Sequence, residues 1–265
     1  MKTDENGLRP VALSIAGSDP SGGAGIQADL KTFHQLGVYG TAAITLVTVQ
    51  NTRKVSRVET LDPKLVSEQI AAVLEDLPPG AVKTGALGTA AIVRAIADAA
   101  FACPLVVDPV MISKHGTALV DSAAHDAIRT VLLPKAALVT PNLHEAAELA
   151  GMAVGNVEQM REAALRIAGH GAASVLIKGG HLHEDAVDVL WHAGEFREYR
   201  SARIDTAHTH GTGCTYSAAI TAWLARGVDM AEAVRRAKRF IDAAIRTNPG
   251  LGGGSGPVNH WADSL

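Results

Sequence analysis

Residues 205–215 (DTAHTHGTGCT) carry the side chains and spacing best suited to chemistry in this sequence. Gly211 and Gly213 let the backbone turn its N–H groups towards one point, and a helical pattern at 213–226 begins there. Glycine turns and the positive partial charge of a helix N-terminus together predict an anion site of the type that holds phosphate. Cys214 falls in the first turn, where a thiol pKa is lowered, so we expect a thiolate near neutral pH. The alternative is a glycine turn followed by a small buried cysteine.

The rest of the chain alternates short aliphatic runs with helical patterns. The predicted strands are 11–16, 42–49, 81–83, 105–110, 137–140 and 174–177. The predicted helices begin near Ile26 and Leu65 and then cover 89–101, 122–132, 143–151, 157–169, 213–226 and 230–247. Several of the strands are apolar on both faces, as expected of parallel strands covered by helices. The β-α order therefore predicts a three-layer α/β/α domain with a mostly parallel, doubly wound sheet.

One part of the chain departs from this alternation. Residues 186–192 and 196–204 flank an Ala-Gly-Glu turn and predict an antiparallel hairpin. No linker or internal repeat divides the chain, so residues 1–265 are interpreted as one domain. Residues 1–10 form an N-terminal extension, and residues 250–265 form a glycine-rich C-terminal segment, of which 250–256 is read as a loop.

Polar residues or glycines follow nearly every predicted strand. These strand ends are 17–25, 50–51, 83–85, 108–111, 140–145 and 178–181. In open α/β sheets, ligands bind beyond the carboxyl ends of the strands. Six such ends favour one site at that edge of the sheet.

Composition and motifs exclude several classes of function. The 24 Lys and Arg against 27 Asp and Glu give a net charge of −3, so a nucleic-acid partner is not expected. No run approaches the ~18 apolar residues of a membrane span, and no secretory leader precedes the first strand. Two cysteines exclude a disulfide framework, and we expect a reduced, cytoplasmic protein. The G-x-G-x-x-A pattern at 23–28 could suggest a dinucleotide-binding site, but two observations argue against it. The pattern begins too far beyond Gly17 for a tight turn between strand and helix, and the second strand does not end in the acidic residue that would hold a ribose.

The motifs taken together resemble the hydroxymethylpyrimidine/phosphomethylpyrimidine kinases, a branch of the ribokinase-like superfamily. The matching segments are AGSDPSGGAGIQAD at 16–29, DPVM at 108–111, TPN-x-x-EA at 140–146, KGGH at 178–181 and HGTGCT at 210–215. They occur in order and cover nearly the whole chain. The resemblance implies a ribokinase-like fold and the use of ATP and Mg²⁺. It also implies a small pyrimidine substrate and a homodimer.

The resemblance assigns roles at the phosphate end of the site. Cys214 stands where most sugar kinases of the superfamily carry an aspartate, as the base that accepts the substrate hydroxyl proton. The loop Gly211, Thr212 and Gly213 would donate N–H groups to the transferring phosphoryl group. Lys178 would add positive charge near the phosphates. Asn142, Lys178 and Thr212 are the expected ATP contacts, and Asp108 and Glu145 the expected Mg²⁺ ligands.

The resemblance also assigns residues to the end of the site that binds the substrate ring. Asp29 and Gln50 would hydrogen-bond the aminopyrimidine, with Gly17 and Ala86 beside the ring. From the residues alone, Asp29 reads as an exposed acid in the first turn of a helix. The family usually carries methionine at the position of Ala86, so this chain has a larger pocket there and the identity of the ring stays open.

Three other functions remain open at this stage. Pyridoxal or pyridoxine kinases can share the cysteine-bearing loop. A thiol hydrolase would use Cys214 as nucleophile and His208 or His210 as base, and a non-catalytic protein would bind a nucleotide or vitamin without releasing ADP. The histidine pairs at 181 and 183 and at 208 and 210 could suggest a transition-metal site, but both are read as exposed loops, without the helical spacing of metal ligands.

Overall fold

A computed structural model describes residues 9–111, 120–180 and 186–263. Within these residues nine strands form one sheet, in the order β3-β2-β1-β4-β5-β6-β7-β8-β9. The strands are β1 Val11–Ser18, β2 Tyr39–Gln50, β3 Val55–Thr60, β4 Ala81–Thr84, β5 Leu105–Val107, β6 Leu138–Val139, β7 Ser174–Ile177, β8 Ala186–His192 and β9 Glu195–Ser201.

The centre of the sheet is parallel and its edges are antiparallel. Strands β2, β1, β4, β5, β6 and β7 pair in parallel, whereas β3, β8 and β9 pair antiparallel with their neighbours. The residues of β1 are buried on both faces, as its unbroken apolar run predicted. The predicted mostly parallel α/β fold is confirmed.

Eight α-helices in the described residues cover the two faces of the sheet. They are α1 Gly25–Gln35, α2 Pro63–Asp76, α3 Ala90–Asp98, α4 Ser122–Ala127, α5 Leu143–Ala150, α6 Val157–Ala168, α7 Thr212–Ala225 and α8 Met230–Arg246. Helices α2 to α6 contribute to the hydrophobic core on one face, and α1, α7 and α8 contribute to the core on the other. The chain therefore forms the three layers expected from its sequence.

Several predicted boundaries were wrong. Strand β3 was not predicted, because most of its side chains are exposed and it carries no apolar run. The helix predicted at 122–132 ends at Ala127 and continues as a wider turn at Ile128–Leu132. The strand predicted at 105–110 ends at Val107, and the one predicted at 196–204 ends at Ser201.

The hairpin of β8 and β9 is confirmed, with a tighter turn than expected. Ala193 and Gly194 make the turn with φ values of 52° and 82°. Two residues with positive φ form the turn whose twist matches that of the flanking strands. Glu195, predicted as part of the turn, begins β9 instead.

The glycine-rich segment packs against two loops at the edge of the site. Ser255 N–H donates to the Thr52 carbonyl at 2.8 Å, and His210 N–H donates to the Gly256 carbonyl at 3.0 Å. The segment thereby joins the turn between β2 and β3 to the loop that precedes α7. None of the helices in the described ranges is long and apolar enough to cross a membrane.

Candidate active site

A pocket of about 640 Å³ opens at the carboxyl edge of the parallel strands. Strand β1 lies between β2 and β4, so the chain reverses its winding direction beside β1. Such a switch point is where open α/β sheets bind ligands. Nearly all of the predicted site residues line the pocket: Gly17, Gln50, Ala86, Asp108, Asn142, Glu145, Lys178, Gly211, Thr212, Gly213 and Cys214.

The N-terminus of α7 forms the middle of the pocket wall. Gly211 occupies the N-cap position with φ 77° and offers no side-chain cap to the first turn. A Cβ atom at Gly211 would collide with the Gly23 carbonyl, so only glycine allows these two loops to meet. The Thr212 N–H lies 3.3 Å from the Thr209 carbonyl, so it is partly engaged within the loop. The helix N-terminus still directs its positive end into the pocket.

Cys214 lies on this wall, but the prediction of a lowered thiol pKa was wrong. Burial, together with the carboxylates of Asp29 and Asp108, raises the pKa of Cys214 to about 12. The ammonium of Lys83 and a hydrogen bond from the Gly25 backbone N–H oppose this rise. Desolvation of the thiolate thus outweighs the helix N-terminus, and Cys214 is a neutral thiol at pH 7 in the free protein.

Lys178 forms an ion pair with Asp108 on the pocket floor. Its Nζ lies 2.9 Å from Asp108 Oδ1, and Asp108 also accepts hydrogen bonds from Ser217 Oγ and Thr140 Oγ1. Burial alone would raise the pKa of Asp108, but the Lys178 and Lys83 charges and these bonds hold it below its usual value. The ion pair opens onto the pocket, since the Lys178 side chain is 13% exposed.

Glu145 lies beside this pair and is held by the start of α5. Its Oε2 accepts from the Asn142 N–H at 2.8 Å, and the Asn142 side chain accepts from the Glu145 N–H at 3.0 Å. This reciprocal cap fixes both side chains at the pocket edge. Burial and the Asp108 charge raise the pKa of Glu145 to about 7, while Lys178 acts in the opposite direction.

Asp29 does not reach the pocket, so the structure does not support its predicted contact with a ring. Its side chain is 0% exposed and accepts hydrogen bonds from Lys83 Nζ at 2.8 Å and Ser14 Oγ at 2.6 Å. The alternative reading of Asp29 as an exposed acid was wrong. Gln50 and Ala86, by contrast, line the pocket together with Leu46.

The sequence analysis missed the link between Asp19 and His210. Asp19 accepts from His210 Nε2 at 2.8 Å and from the backbone N–H groups of Ser21 and Ala24. Its pKa is lowered because the hydrogen bonds and the His210 charge outweigh its burial. The signal was the Asp-Pro-Ser-Gly turn, in which an aspartate accepts from N–H groups further along the loop. Its distant partner could not be read from that turn.

A second missed cluster lines the far end of the pocket. Lys238 Nζ lies 3.0 Å from Asp188 Oδ2, and Asp188 Oδ1 accepts from the Gly179 N–H at 2.9 Å. A buried aspartate within the apolar strand β8 signals that a partner is needed. Asp188 therefore fixes the backbone directly after Lys178.

The histidine pairs do not form a metal site in the described chain. His210 contacts Asp19, and His208 packs beside Gly256. The pair at 181 and 183 lies outside the described residues. No group of three or more His, Cys, Asp or Glu side chains in the described ranges is arranged to hold a metal ion.

The three-layer fold and this pocket define a kinase of the ribokinase-like class. The chain is 41% identical to Bacillus subtilis pyridoxal kinase, whose structure was solved as an ADP complex; the TM-score is 0.88, covering 96% of this chain and 98% of that chain. A solved phosphomethylpyrimidine kinase from Clostridium difficile is 44% identical with a TM-score of 0.80, covering 89% of this chain and 100% of that chain.

Sequence comparison defines the family within this class. The family model "Phosphomethylpyrimidine kinase" matches residues 19–259. A hydroxymethylpyrimidine/phosphomethylpyrimidine kinase of Streptomyces coelicolor is 47% identical over 256 residues, covering 96% of this chain and 95% of the relative. The chain belongs to the phosphomethylpyrimidine kinase family, and the resemblance inferred from its motifs is confirmed.

Proposed function

We propose that this kinase transfers phosphate from ATP to the hydroxymethyl group of 4-amino-5-hydroxymethyl-2-methylpyrimidine, and then to the resulting monophosphate, in thiamine biosynthesis. The observation that carries this proposal is the single pocket shared by Cys214, the N-terminus of α7 and the Lys178–Asp108 pair. Family membership supports the pyrimidine as substrate.

The phosphate end of the pocket suits ATP. Lys178 lines the pocket, and the Asp108 and Glu145 charges raise its pKa against the effect of burial, so it stays protonated at pH 7. Lys178 and the first turn of α7 would stabilise the negative charge that builds on the transferred group. Asn142 and Thr212 would contact the nucleotide from the two sides of the floor.

The donor set also fits Mg²⁺. This ion takes oxygen ligands and is usually held by one or two carboxylates together with substrate phosphates. Asp108 and Glu145 supply two carboxyl groups at the same floor, and Glu145 has a buried position where a cation would favour its ionised form. When bound, Mg²⁺ would neutralise charge on the ATP phosphates.

Cys214 is the proposed proton acceptor for the substrate hydroxyl. Its position at the N-terminus of α7 places it beside the groups proposed to hold the phosphoryl donor. Because the thiol is neutral at pH 7 in the free protein, this role requires loss of its proton before transfer. The catalytic rate should therefore rise with pH in the alkaline range.

The substrate end of the pocket suits a small ring. The Gln50 amide offers both a donor and an acceptor to an aminopyrimidine, and Gly17 lines the same end with Leu46, whose side chain occupies the space beside the glycine. Ala86 leaves the neighbouring wall open. The Ala86 carbonyl accepts from Thr45 Oγ1 at 2.6 Å, which fixes this backbone.

Pyridoxal is the second candidate substrate. The open wall at Ala86 and the likeness to Bacillus subtilis pyridoxal kinase both favour it. Pyridoxal also presents a hydroxymethyl arm on a flat heteroaromatic ring of similar size. We further propose a homodimer, which light scattering would detect as twice the chain mass of 27.5 kDa.

Mass spectrometry of products distinguishes these substrates. The protein is incubated with Mg·ATP and either hydroxymethylpyrimidine or pyridoxal, in parallel. Mono- and pyrophosphorylated pyrimidine would support both proposed steps. Phosphorylation of pyridoxal alone would move the activity to the second candidate, and no product from either would overturn the proposed function.

A further inference from the structure

A buried ion pair behind the pocket has no part in the chemistry described so far. Lys83 of β4 and Asp29 of α1 lie 2.8 Å apart, and both side chains are 0% exposed. Ser14 of β1 donates to the same carboxylate oxygen at 2.6 Å. The other oxygen of Asp29 is buried without a hydrogen-bond partner among the described residues.

Stability alone is a poor reason for such a pair. Removing two charges from water carries a large desolvation penalty, and apolar residues of similar size often serve a core as well or better. The unsatisfied oxygen of Asp29 adds to that penalty. A charge kept under these conditions points to a role in the neighbouring site.

The backbone at Gly85 lies close both to this pair and to the pocket. Gly85 lines the pocket, and a Cβ atom at Gly85 would lie 3.7 Å from Lys83 Nζ. Helix α7 packs against α1, β1 and β4, the three elements that carry the cluster. Cys214, in the first turn of α7, is near enough to the ion pair for the charges of Lys83 and Asp29 to act on it.

The charges facing Cys214 come from all of these elements. Lys83 of β4 is the largest charge that favours its thiolate, and Asp29 of α1 and Asp108 beyond β5 oppose it. A thiolate at Cys214 would in turn favour the protonated forms of both Lys83 and Lys178.

We propose that Lys83, held by Asp29, is a positioning residue for Cys214, and that its ammonium group supplies the positive charge against which negative charge forms on Sγ. The inference rests on the proposed function of Cys214. Asp29 fixes the ammonium behind the Gly85 backbone and balances its charge while Cys214 is a neutral thiol.

Cys214 first loses its thiol proton to solvent, because the resting group is a neutral thiol. The resulting thiolate accepts the substrate hydroxyl proton, so the substrate O–H bond breaks and an S–H bond forms. The freed oxygen electron pair forms the new P–O bond, and the bond from the terminal phosphorus to the ADP oxygen breaks. Lys83 keeps its protons throughout and exchanges none with the substrate.

The test measures the thiolate of Cys214 directly, without turnover. Iodoacetamide reacts with thiolates, and peptide mass spectrometry gives the alkylation rate of Cys214 at pH 9 in the full-length protein without ligands. Cys103, the other cysteine, serves as the internal reference within each sample. Thr84→Val is the matched control, because Thr84 is buried beside Lys83 in β4 and its hydroxyl has no partner among the described residues.

The proposal predicts effects of opposite sign on the two sides of the ion pair. Lys83→Met should slow Cys214 alkylation relative to Cys103 by about tenfold, as expected of a pKa rise of one unit. Asp29→Asn should accelerate it several-fold, because Cys214 then becomes the nearest counter-ion of Lys83. Thr84→Val should leave the ratio unchanged. If Lys83→Met does not fold, Asp29→Asn/Lys83→Met leaves no unpaired buried charge and should also slow the reaction.

Unchanged alkylation in all folded variants, or changes of the same sign for Asp29→Asn and Lys83→Met, would overturn the proposal. Kinase assays of the same variants should show a lower kcat for Lys83→Met with an unchanged KM for ATP. Failure of the proposed function is a separate result, because a wild-type protein that phosphorylates neither substrate still yields the alkylation rates.

Discussion

Two lysine–aspartate pairs of nearly equal length lie on either side of the N-terminus of α7. Lys83 and Asp29 are 2.8 Å apart with both side chains fully buried, whereas Lys178 and Asp108 are 2.9 Å apart with the lysine 13% exposed. The first pair is sealed behind the Gly85 backbone, and the second opens onto the pocket floor. We call them the sealed pair and the open pair.

The two ion pairs can influence a bound ligand in different ways, the open pair by direct contact and the sealed pair by its charge. The open pair can exchange Asp108 for a ligand, because Lys178 faces the pocket and Glu145 lies beside it. The sealed pair cannot touch a ligand, so it can influence the site only through its charge and through the packing of α7. The same pair of residue types therefore serves two functions, set by exposure rather than by distance.

The largest expected effect concerns stability and separates the two pairs. Lys83→Met leaves Asp29 buried without its partner and should lower the free energy of unfolding by roughly 3–5 kcal/mol. Lys178→Met should lower it less, because Asp108 keeps its hydrogen bond from Ser217 and the favourable charge of Lys83. Urea denaturation of both variants measures the difference, and equal losses would remove the distinction between the pairs.

The second effect concerns turnover, for which we expect Lys178→Met to be the more damaging of the two lysine substitutions. Lys178→Met should lower kcat about 10²–10³-fold, because it removes the charge that stabilises the transferring group. Lys64→Met, at an exposed lysine of α2, is the matched control and should leave kcat unchanged. A Lys178→Met enzyme with normal kcat and only a higher KM for ATP would limit Lys178 to nucleotide binding.

The third effect is a pH dependence of stability caused by Glu145, which lies beside the open pair. The pKa of Glu145 is raised to about 7 in the folded protein, so the folded state binds more protons than the unfolded state between about pH 4.5 and 7. Stability should therefore fall as pH rises through this window, by up to about 3 kcal/mol relative to Glu145→Gln. Denaturation midpoints at pH 5 and pH 8, without Mg²⁺ or nucleotide, measure this. Parallel pH curves for the two proteins would contradict the raised pKa.

The smallest expected effect is the change in stability caused by a control substitution beside the sealed pair. Thr84→Val replaces a buried hydroxyl that has no partner among the described residues, so unfolding stability should change by less than about 1 kcal/mol or increase slightly. Thermal denaturation checks this. A loss as large as that of Lys83→Met would mean that β4 tolerates no substitution, and the effect of Lys83→Met could then not be assigned to charge.

The sequence predicted most of the sheet because its central strands are apolar on both faces. Strand β3 escaped prediction because an edge strand with one paired side and exposed side chains leaves no such pattern. The turn after Ala127 escaped for a different reason. Its apolar spacing continues that of α4, and only tertiary packing ends the regular helix there.

The site could be predicted wherever strand ends and glycine loops specified it. The sealed pair could not, because Asp29 and Lys83 are 54 residues apart and either residue alone reads as a surface charge. The pKa of Cys214 was mispredicted for a related reason. Sequence places the thiol at a helix N-terminus, but the desolvation that raises its pKa depends on how α7 packs against α1 and β4.

Turnover of Cys214→Ala tests the central claim most directly. The pyrimidine substrate and Mg·ATP are supplied at saturation, product is quantified by mass spectrometry, and Cys103→Ala serves as the control at the other cysteine. If Cys214 accepts the hydroxyl proton, Cys214→Ala should lower kcat by about 10²–10⁴-fold with ATP binding little changed, and Cys103→Ala should retain normal kcat. A Cys214→Ala enzyme with near-normal kcat would show that Cys214 is not the base.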